Sequence, residues 1–155
     1  MKKLFCFLVL LAVMASFIPG AVFAAEAESS EPVSLVVDLD LSEMSGVIVY
    51  SQIYNILWEP AEYLGKVIRM RGYYNYYDDQ AHGIVYHTCI IPDATACCAQ
   101  GIEFIWNGDH AWPDDYPEAG TDITVTGRLE IYEEDGSNYL HLVDAELTWE
   151  QEILQ

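Results

Sequence analysis

The sequence predicts a mainly β protein: a five-stranded barrel of the OB type preceded by a short helical segment. Three observations lead to this prediction. From residue 66 the chain has runs rich in β-branched and aromatic residues, and residues 121–132 alternate cleanly between apolar and polar. Turn-forming residues separate these runs, and Gly72 interrupts the first long run, where it permits the sharp bend of a small barrel. The regular spacing of the turns argues against a parallel α/β sheet.

The first 24 residues have the pattern of a secretory signal peptide. Lys2 and Lys3 precede an apolar stretch over residues 4–18, and Val22 and Ala24 provide small residues at the two positions that decide cleavage. A run of roughly 15 apolar residues is short for the ~20 needed to span a bilayer, so cleavage is favoured over a membrane anchor. We therefore expect a secreted or cell-envelope protein, with no stable membrane insertion after cleavage.

The charge of the chain limits its partners. Removal of Lys2 and Lys3 with the signal peptide lowers the formal net charge from −19 to −21, and four basic residues then face 25 acidic ones. Because nucleic-acid binding depends on cationic contacts to phosphate, we expect no nucleic acid as a partner. Metal cations, glycans and proteins of the cell envelope remain as candidate partners. The alternative is that the charge serves only to keep the protein soluble.

The chain after the signal peptide divides into an acidic linker over residues 25–45 and the barrel domain over residues 46–150, a size that fits one domain and a monomer. The sequence leaves open whether residues 33–41 form an additional edge strand. A helical segment is predicted over residues 50–64, where Ile53 and Ile56 share one face with Leu57. The five strands are predicted over residues 66–77, 83–91, 101–106, 121–132 and 139–148, with a hairpin turn at residues 134–138.

The cysteines that remain after cleavage cluster in the middle of the chain. Cys89, Cys97 and Cys98 accompany His87, and four thiolate and imidazole groups are what a closed tetrahedral zinc site requires. His87 and Cys89 are two positions apart on a strand and share a face, and a turn after Pro92 returns the chain. Two other interpretations stay open: a disulfide from Cys89 to Cys97 or Cys98, and cysteines that act as small core residues.

At the turn that enters the first strand, residues 62–67 read Glu-Tyr-Leu-Gly-Lys-Val, and Gly72 follows within the strand. This pattern resembles the opening of several exported bacterial OB-fold families. The resemblance implies the OB barrel as the fold. The chain is also similar to small exported proteins of gut Firmicutes.

A second resemblance includes the paired cysteines. Cys97-Cys98-Ala99, followed by residues 101–104 and later by residues 123–127, is similar to the C-terminal domain of a bacterial family encoded beside predicted permeases. That family carries a Cys-Cys-Ala-Asp motif, whereas Gln100 occupies the acidic position here. The resemblance covers roughly residues 60–132 and implies a metal-related role.

The sequence therefore predicts an exported, non-enzymatic binding or accessory protein with a zinc site formed by His87, Cys89, Cys97 and Cys98. The alternative is a structural cell-envelope protein that binds a peptide or glycan on the barrel face, because strands rich in aromatic residues offer rings for stacking. The aromatic residues considered for such a platform are Tyr73, Tyr74, Tyr76, Tyr77, Trp106 and Trp112.

The signal-peptide pattern yields a direct prediction about the exported protein. N-terminal sequencing of the protein recovered outside the cytoplasm of the producing cell should start at Ala25, because Ala24 ends the predicted cleavage motif. Recovery of a chain that still starts at Met1, in the membrane fraction, would show that this segment is an anchor.

Overall fold

The computed structural model describes residues 35–95 and 97–150, and the predicted signal peptide and the first part of the predicted linker lie outside them. The prediction of a mainly β chain with one helix is confirmed. In chain order the elements are β1 (Leu39–Asp40), α1 (Gly46–Trp58), a 3-10 turn (Pro60–Glu62), β2 (Val67–Asp79), β3 (Ile84–Pro92), β4 (Ala99–Trp106), β5 (Asp122–Glu134) and β6 (Ser137–Trp149).

Five strands form a closed ring in the order β2-β3-β4-β6-β5, and β5 pairs back to β2. All neighbours in the ring are antiparallel except β4 and β6, which run parallel. The long strand β2 closes the ring because it changes partner: residues 67–73 pair with β5, and residues 73–79 pair with β3. The strands are not spaced evenly round one axis.

Gly72 lies where β2 changes partner. A Cβ at this position would come within 2.4 Å of the carbonyl oxygen of Ile90 and 2.8 Å of the sulfur of Cys89. Both contacts are shorter than van der Waals distances, so only glycine allows β3 to approach β2 this closely. The sequence prediction that Gly72 serves the geometry of the first strand agrees with this contact.

The helix α1 packs across the ring with one apolar face. Val49, Ile53 and Ile56 are buried, and the helix contacts β3 and β4. The buried face is therefore the predicted one, but the helix spans residues 46–58 rather than the predicted 50–64. Pro60 explains the end, because a residue before proline is pushed out of the helical conformation, and Glu59 has φ −130° and ψ 68°.

The segment before the helix also contributes to the packed domain. Leu39 and Asp40 pair in parallel with Ile68 and Arg69 of β2, on the edge that β3 does not reach. Leu41 follows and is fully buried in the core. The packed part of the chain therefore includes residues 39–41 as well as the predicted barrel domain.

The core fills the ring and the space below α1. Its largest fully buried side chains come from the segment before the helix, from the helix and from each ring strand except β3. They are Leu41, Ile53, Ile56, Ile68, Met70, Tyr74, Ile102, Phe104, Ile123, Val125, Leu129 and Leu142. Among residues 35–95 and 97–150, no helix is long and apolar enough to cross a membrane.

Substitution of Gly72 tests the close approach of β2 and β3. Gly72→Ala should lower the free energy of unfolding by about 1 to 3 kcal/mol, because the added methyl group overpacks against the Ile90 backbone. Gly46→Ala is the matched control: its Cβ meets nothing within 4 Å, and it lies in the first turn of α1. The control should leave stability unchanged or raise it by up to about 1 kcal/mol. Equal stabilities of the two variants, measured by urea denaturation, would contradict the packing argument.

Candidate metal centre

The turn between β3 and β4 is organised by Asp93. Its backbone N–H donates to the carbonyl oxygen of Cys98 at 2.8 Å, which closes the turn. Its carboxylate accepts hydrogen bonds from the backbone N–H groups of Thr95 and Cys97, each at 3.0 Å. An aspartate that accepts backbone hydrogen bonds from the residues just after it is a common way to build a turn.

This turn brings three metal-ligating side chains together. The sulfurs of Cys97 and Cys98 are 3.8 Å apart, and the Cys97 sulfur lies 3.3 Å from Oδ2 of Asp93. One ligand atom from each residue lies within 4.8 Å of the other two. Thr95 supports the group, since its hydroxyl contacts the Asp93 carboxylate and the Cys97 sulfur. We call Asp93, Cys97 and Cys98 the turn site, and these three residues could hold a metal ion.

Solvent exposure and charge define the electrostatics of the turn site. Both cysteines are exposed and Asp93 is half-buried. Desolvation raises the pKa of Asp93, but hydrogen bonds from Cys97 and Thr95 outweigh it and leave the pKa below its usual value. The hydrogen bond from Cys97, followed by the charge of Asp93, raises the pKa of Cys98. Asp93 is therefore the charged member of the turn site near neutral pH, and the raised pKa of Cys98 favours its protonated thiol.

Cys89 lies in the core rather than at the turn site. It is fully buried, next to Gly72, and desolvation raises the pKa of its thiol to about 12. Cys89, Cys97 and Cys98 are all free thiols, so neither of the two disulfides considered from the sequence is formed in the structure. Cys89 packs as a small core residue, which was one of the sequence interpretations.

His87 is also held away from the turn site. Its Nδ1 lies 2.7 Å from the hydroxyl of Tyr74, and its ring stacks on Tyr116 with the ring centroids 3.9 Å apart. Desolvation lowers the pKa of His87 to about 4, so the imidazole is neutral near pH 7. A neutral ring accepts the hydrogen bond of the tyrosine hydroxyl, and this fixes its orientation.

The structure thus brings together two of the four predicted ligands, Cys97 and Cys98. His87 and Cys89 lie outside the group that includes Asp93. The candidate ligands chosen from the sequence did not include Asp93, although it belongs to the group that could hold a metal ion. The signal that identifies it is the spacing of an aspartate, a threonine two residues later and a cysteine four residues later, which lets one carboxylate reach both backbone N–H groups and the thiol.

Comparison of the chain with protein-family models, curated proteins and solved structures found no match in any of the three.

The packing of His87 predicts a pH dependence of stability. As the pH falls from 6.5 towards 4, the unfolded chain takes up a proton that the folded His87 does not, so the free energy of unfolding decreases. His87→Phe keeps an aromatic ring and removes the proton site. Between pH 7 and about pH 4.5, the variant should lose less stability than the original protein, by about 1 kcal/mol, because solvent screens part of the effect at a half-buried ring.

Urea denaturation of both proteins at several pH values measures this difference. His141, whose pKa is also lowered by desolvation, is present in both proteins and cancels in the comparison. Parallel pH profiles for the two proteins would show that His87 protonates equally in the folded and unfolded chains.

Proposed function

We propose that the protein is an exported, non-enzymatic binding protein of the OB type that holds a zinc ion at the turn site. Export rests on the signal-peptide pattern of residues 1–24. The OB assignment is supported by the five-stranded ring, the parallel pair β4–β6 and the glycine in the first ring strand.

The separation of the ligand atoms carries the zinc proposal. Two sulfurs bound to one zinc at 2.3 Å and at a tetrahedral angle lie about 3.8 Å apart. The sulfurs of Cys97 and Cys98 are 3.8 Å apart, and the Cys97 sulfur is 3.3 Å from an Asp93 oxygen. Two of the three ligand separations therefore match the edges of a zinc tetrahedron, and the third, from Cys98 to Asp93, is within 4.8 Å.

The types of ligand favour zinc over other ions. Thiolates exclude calcium and magnesium, which take oxygen ligands. Two thiolates alone would suit Cu(I), but zinc accepts thiolate and carboxylate in one site. Asp93 beside the two cysteines therefore selects zinc among the common soft cations.

The position of the turn site favours binding over catalysis. Three protein ligands leave a fourth position open, and Cys97 and Cys98 lie exposed on the surface. A catalytic zinc requires a dry, shaped cavity that positions a substrate, whereas an ion on an exposed turn exchanges readily with solvent and with ligands from a partner. An accessory role in holding or transferring zinc fits this exposure.

Zinc titration of the purified, reduced protein tests the proposal. Cys97→Ser and Cys98→Ser should each weaken zinc binding by about 100-fold, because each removes a thiolate from the ion. Asp93→Asn should weaken it less, by about tenfold, since an amide oxygen remains in place of the carboxylate. Calorimetry in competition with a chelator measures these affinities, and Asp109→Asn, in another exposed loop, is the charge-matched control.

Two further variants separate the turn site from the ligand set predicted from the sequence. Cys89→Ala and His87→Phe should leave zinc affinity unchanged if Asp93, Cys97 and Cys98 hold the ion. Loss of zinc affinity in these folded variants would instead assign the ion to His87, Cys89, Cys97 and Cys98. Absence of zinc binding by the reduced original protein would refute a zinc site in either form.

A further inference from the structure

A cleft of about 430 Å³ opens on the barrel face between the β2–β3 hairpin and the β5–β6 hairpin. Four tyrosines line it: Tyr77 on β2, Tyr86 on β3, Tyr132 on β5 and Tyr139 on β6. Tyr132 and Tyr139 stack with centroids 5.6 Å apart, and Tyr77 and Tyr86 stack at 6.3 Å. We call this feature the barrel-face cleft, and its size is that of a site for a small organic group or one side chain.

Two of the tyrosines hold carboxylates in the barrel-face cleft. The Tyr86 hydroxyl donates to Glu134 at 2.6 Å, and the Tyr132 hydroxyl donates to Glu103 at 2.6 Å. These hydrogen bonds join β3 to β5 and β5 to β4, so the two carboxylates are fixed by different strands. Both glutamates line the cleft, and each carboxylate has a second oxygen available to a ligand.

Among the described residues, no lysine or arginine balances the acidic charge of the cleft. Asp79 and Asp135 add two more carboxylates, and His82 pairs with Asp79 at 2.8 Å. Of the four lysine and arginine side chains in the described residues, none lines the cleft. The arginines pair with acids elsewhere on the barrel, as Arg69–Asp40, Arg71–Asp122 and Arg128 with both Glu130 and Asp144, and Lys66 lies over the ring of Tyr63.

Glu103 gives the cleft its strongest preference for a cation. Its carboxylate is half-buried, and desolvation raises its pKa although the Tyr132 hydroxyl donates to it. A half-buried carboxylate whose hydrogen-bond partner is neutral keeps a desolvation cost that an incoming cation can offset. The tyrosine rings nearby provide faces over which a cation is attracted.

We propose that the barrel-face cleft binds a basic peptide by inserting one arginine side chain. A guanidinium group is planar, stacks on tyrosine rings and donates to two carboxylates at once, which matches Glu103 and Glu134 between the tyrosines. Lysine presents a single ammonium that stacks poorly, so it fits the paired carboxylates less well. The site is independent of zinc, since it lies at the start of β3 and the turn site lies at its end.

Isothermal titration with a blocked Gly-Arg-Gly peptide tests the proposal on the purified protein without added zinc. The peptide should bind, and the same peptide with citrulline in place of arginine should bind at least tenfold more weakly, because citrulline keeps the shape and lacks the charge. A blocked Gly-Lys-Gly peptide should bind several-fold more weakly than the arginine peptide. Equal affinity for the arginine and citrulline peptides, or no binding of the arginine peptide, would overturn the proposal.

Variants locate the binding on the protein. Glu103→Gln and Glu134→Gln should each lower the affinity for the arginine peptide by about tenfold, and the glutamine oxygen can still accept the tyrosine hydrogen bond, so the fold is retained. Glu133→Gln is the matched control: it removes one charge from the neighbouring exposed position of β5, outside the cleft lining. If Glu133→Gln weakened binding as much as Glu134→Gln, general charge attraction would explain the result and the cleft would not be the site.

Discussion

The closed ring depends on the close approach of β3 to β2 at Gly72. At that point β2 stops pairing with β5 and starts pairing with β3, and a side chain at residue 72 would collide with the Ile90 carbonyl. This contact fixes the course of β3, and β3 in turn positions both candidate sites. Its first residues contribute to the barrel-face cleft, and its last residue precedes the turn site.

The length of β3 keeps the two sites apart. The strand runs from Ile84 to Pro92, and the cleft residue Glu103 is paired with Thr88, which at ~3.3 Å per residue lies about 13 Å before Pro92. That distance exceeds the Debye length of ≈ 8 Å at physiological ionic strength, so charge at one site is screened from the other. Zinc at the turn and a peptide in the cleft would therefore act on separate surfaces of one rigid strand.

Local patterns were enough to predict most of the fold, but they did not identify which side chains meet. Runs rich in β-branched and aromatic residues, one of them alternating cleanly, located the five ring strands, and helical spacing identified Ile53 and Ile56 as buried. The sequence also placed His87 and Cys89 on one face of a strand, but it did not show that Cys89 turns into the core. That outcome depends on the contact with Gly72, which is 17 positions away in the chain.

For the candidate sites too, the sequence identifies side chains that meet locally but not those that are far apart in the chain. Cys97 and Cys98 are adjacent in the sequence, and their local turn with Asp93 could be inferred from neighbouring residues alone. The barrel-face cleft joins residues far apart, such as Tyr86 and Glu134, and the aromatic set named from the sequence shares only Tyr77 with it. Of these, Tyr74 is fully buried, and Tyr77 is the one that lines the cleft. Such convergence follows from the closure of the ring, which a strand pattern does not encode.

Closure of the ring also affects how the molecule behaves at high concentration. Free strand edges act as templates for pairing with other chains and so promote aggregation. Here β5 and β3 each pair with part of β2. The two-residue strand β1 pairs with β2 where β3 does not reach. The excess of acidic residues repels other copies at a distance, where salt weakens it. The paired edges continue to resist aggregation when salt screens this repulsion.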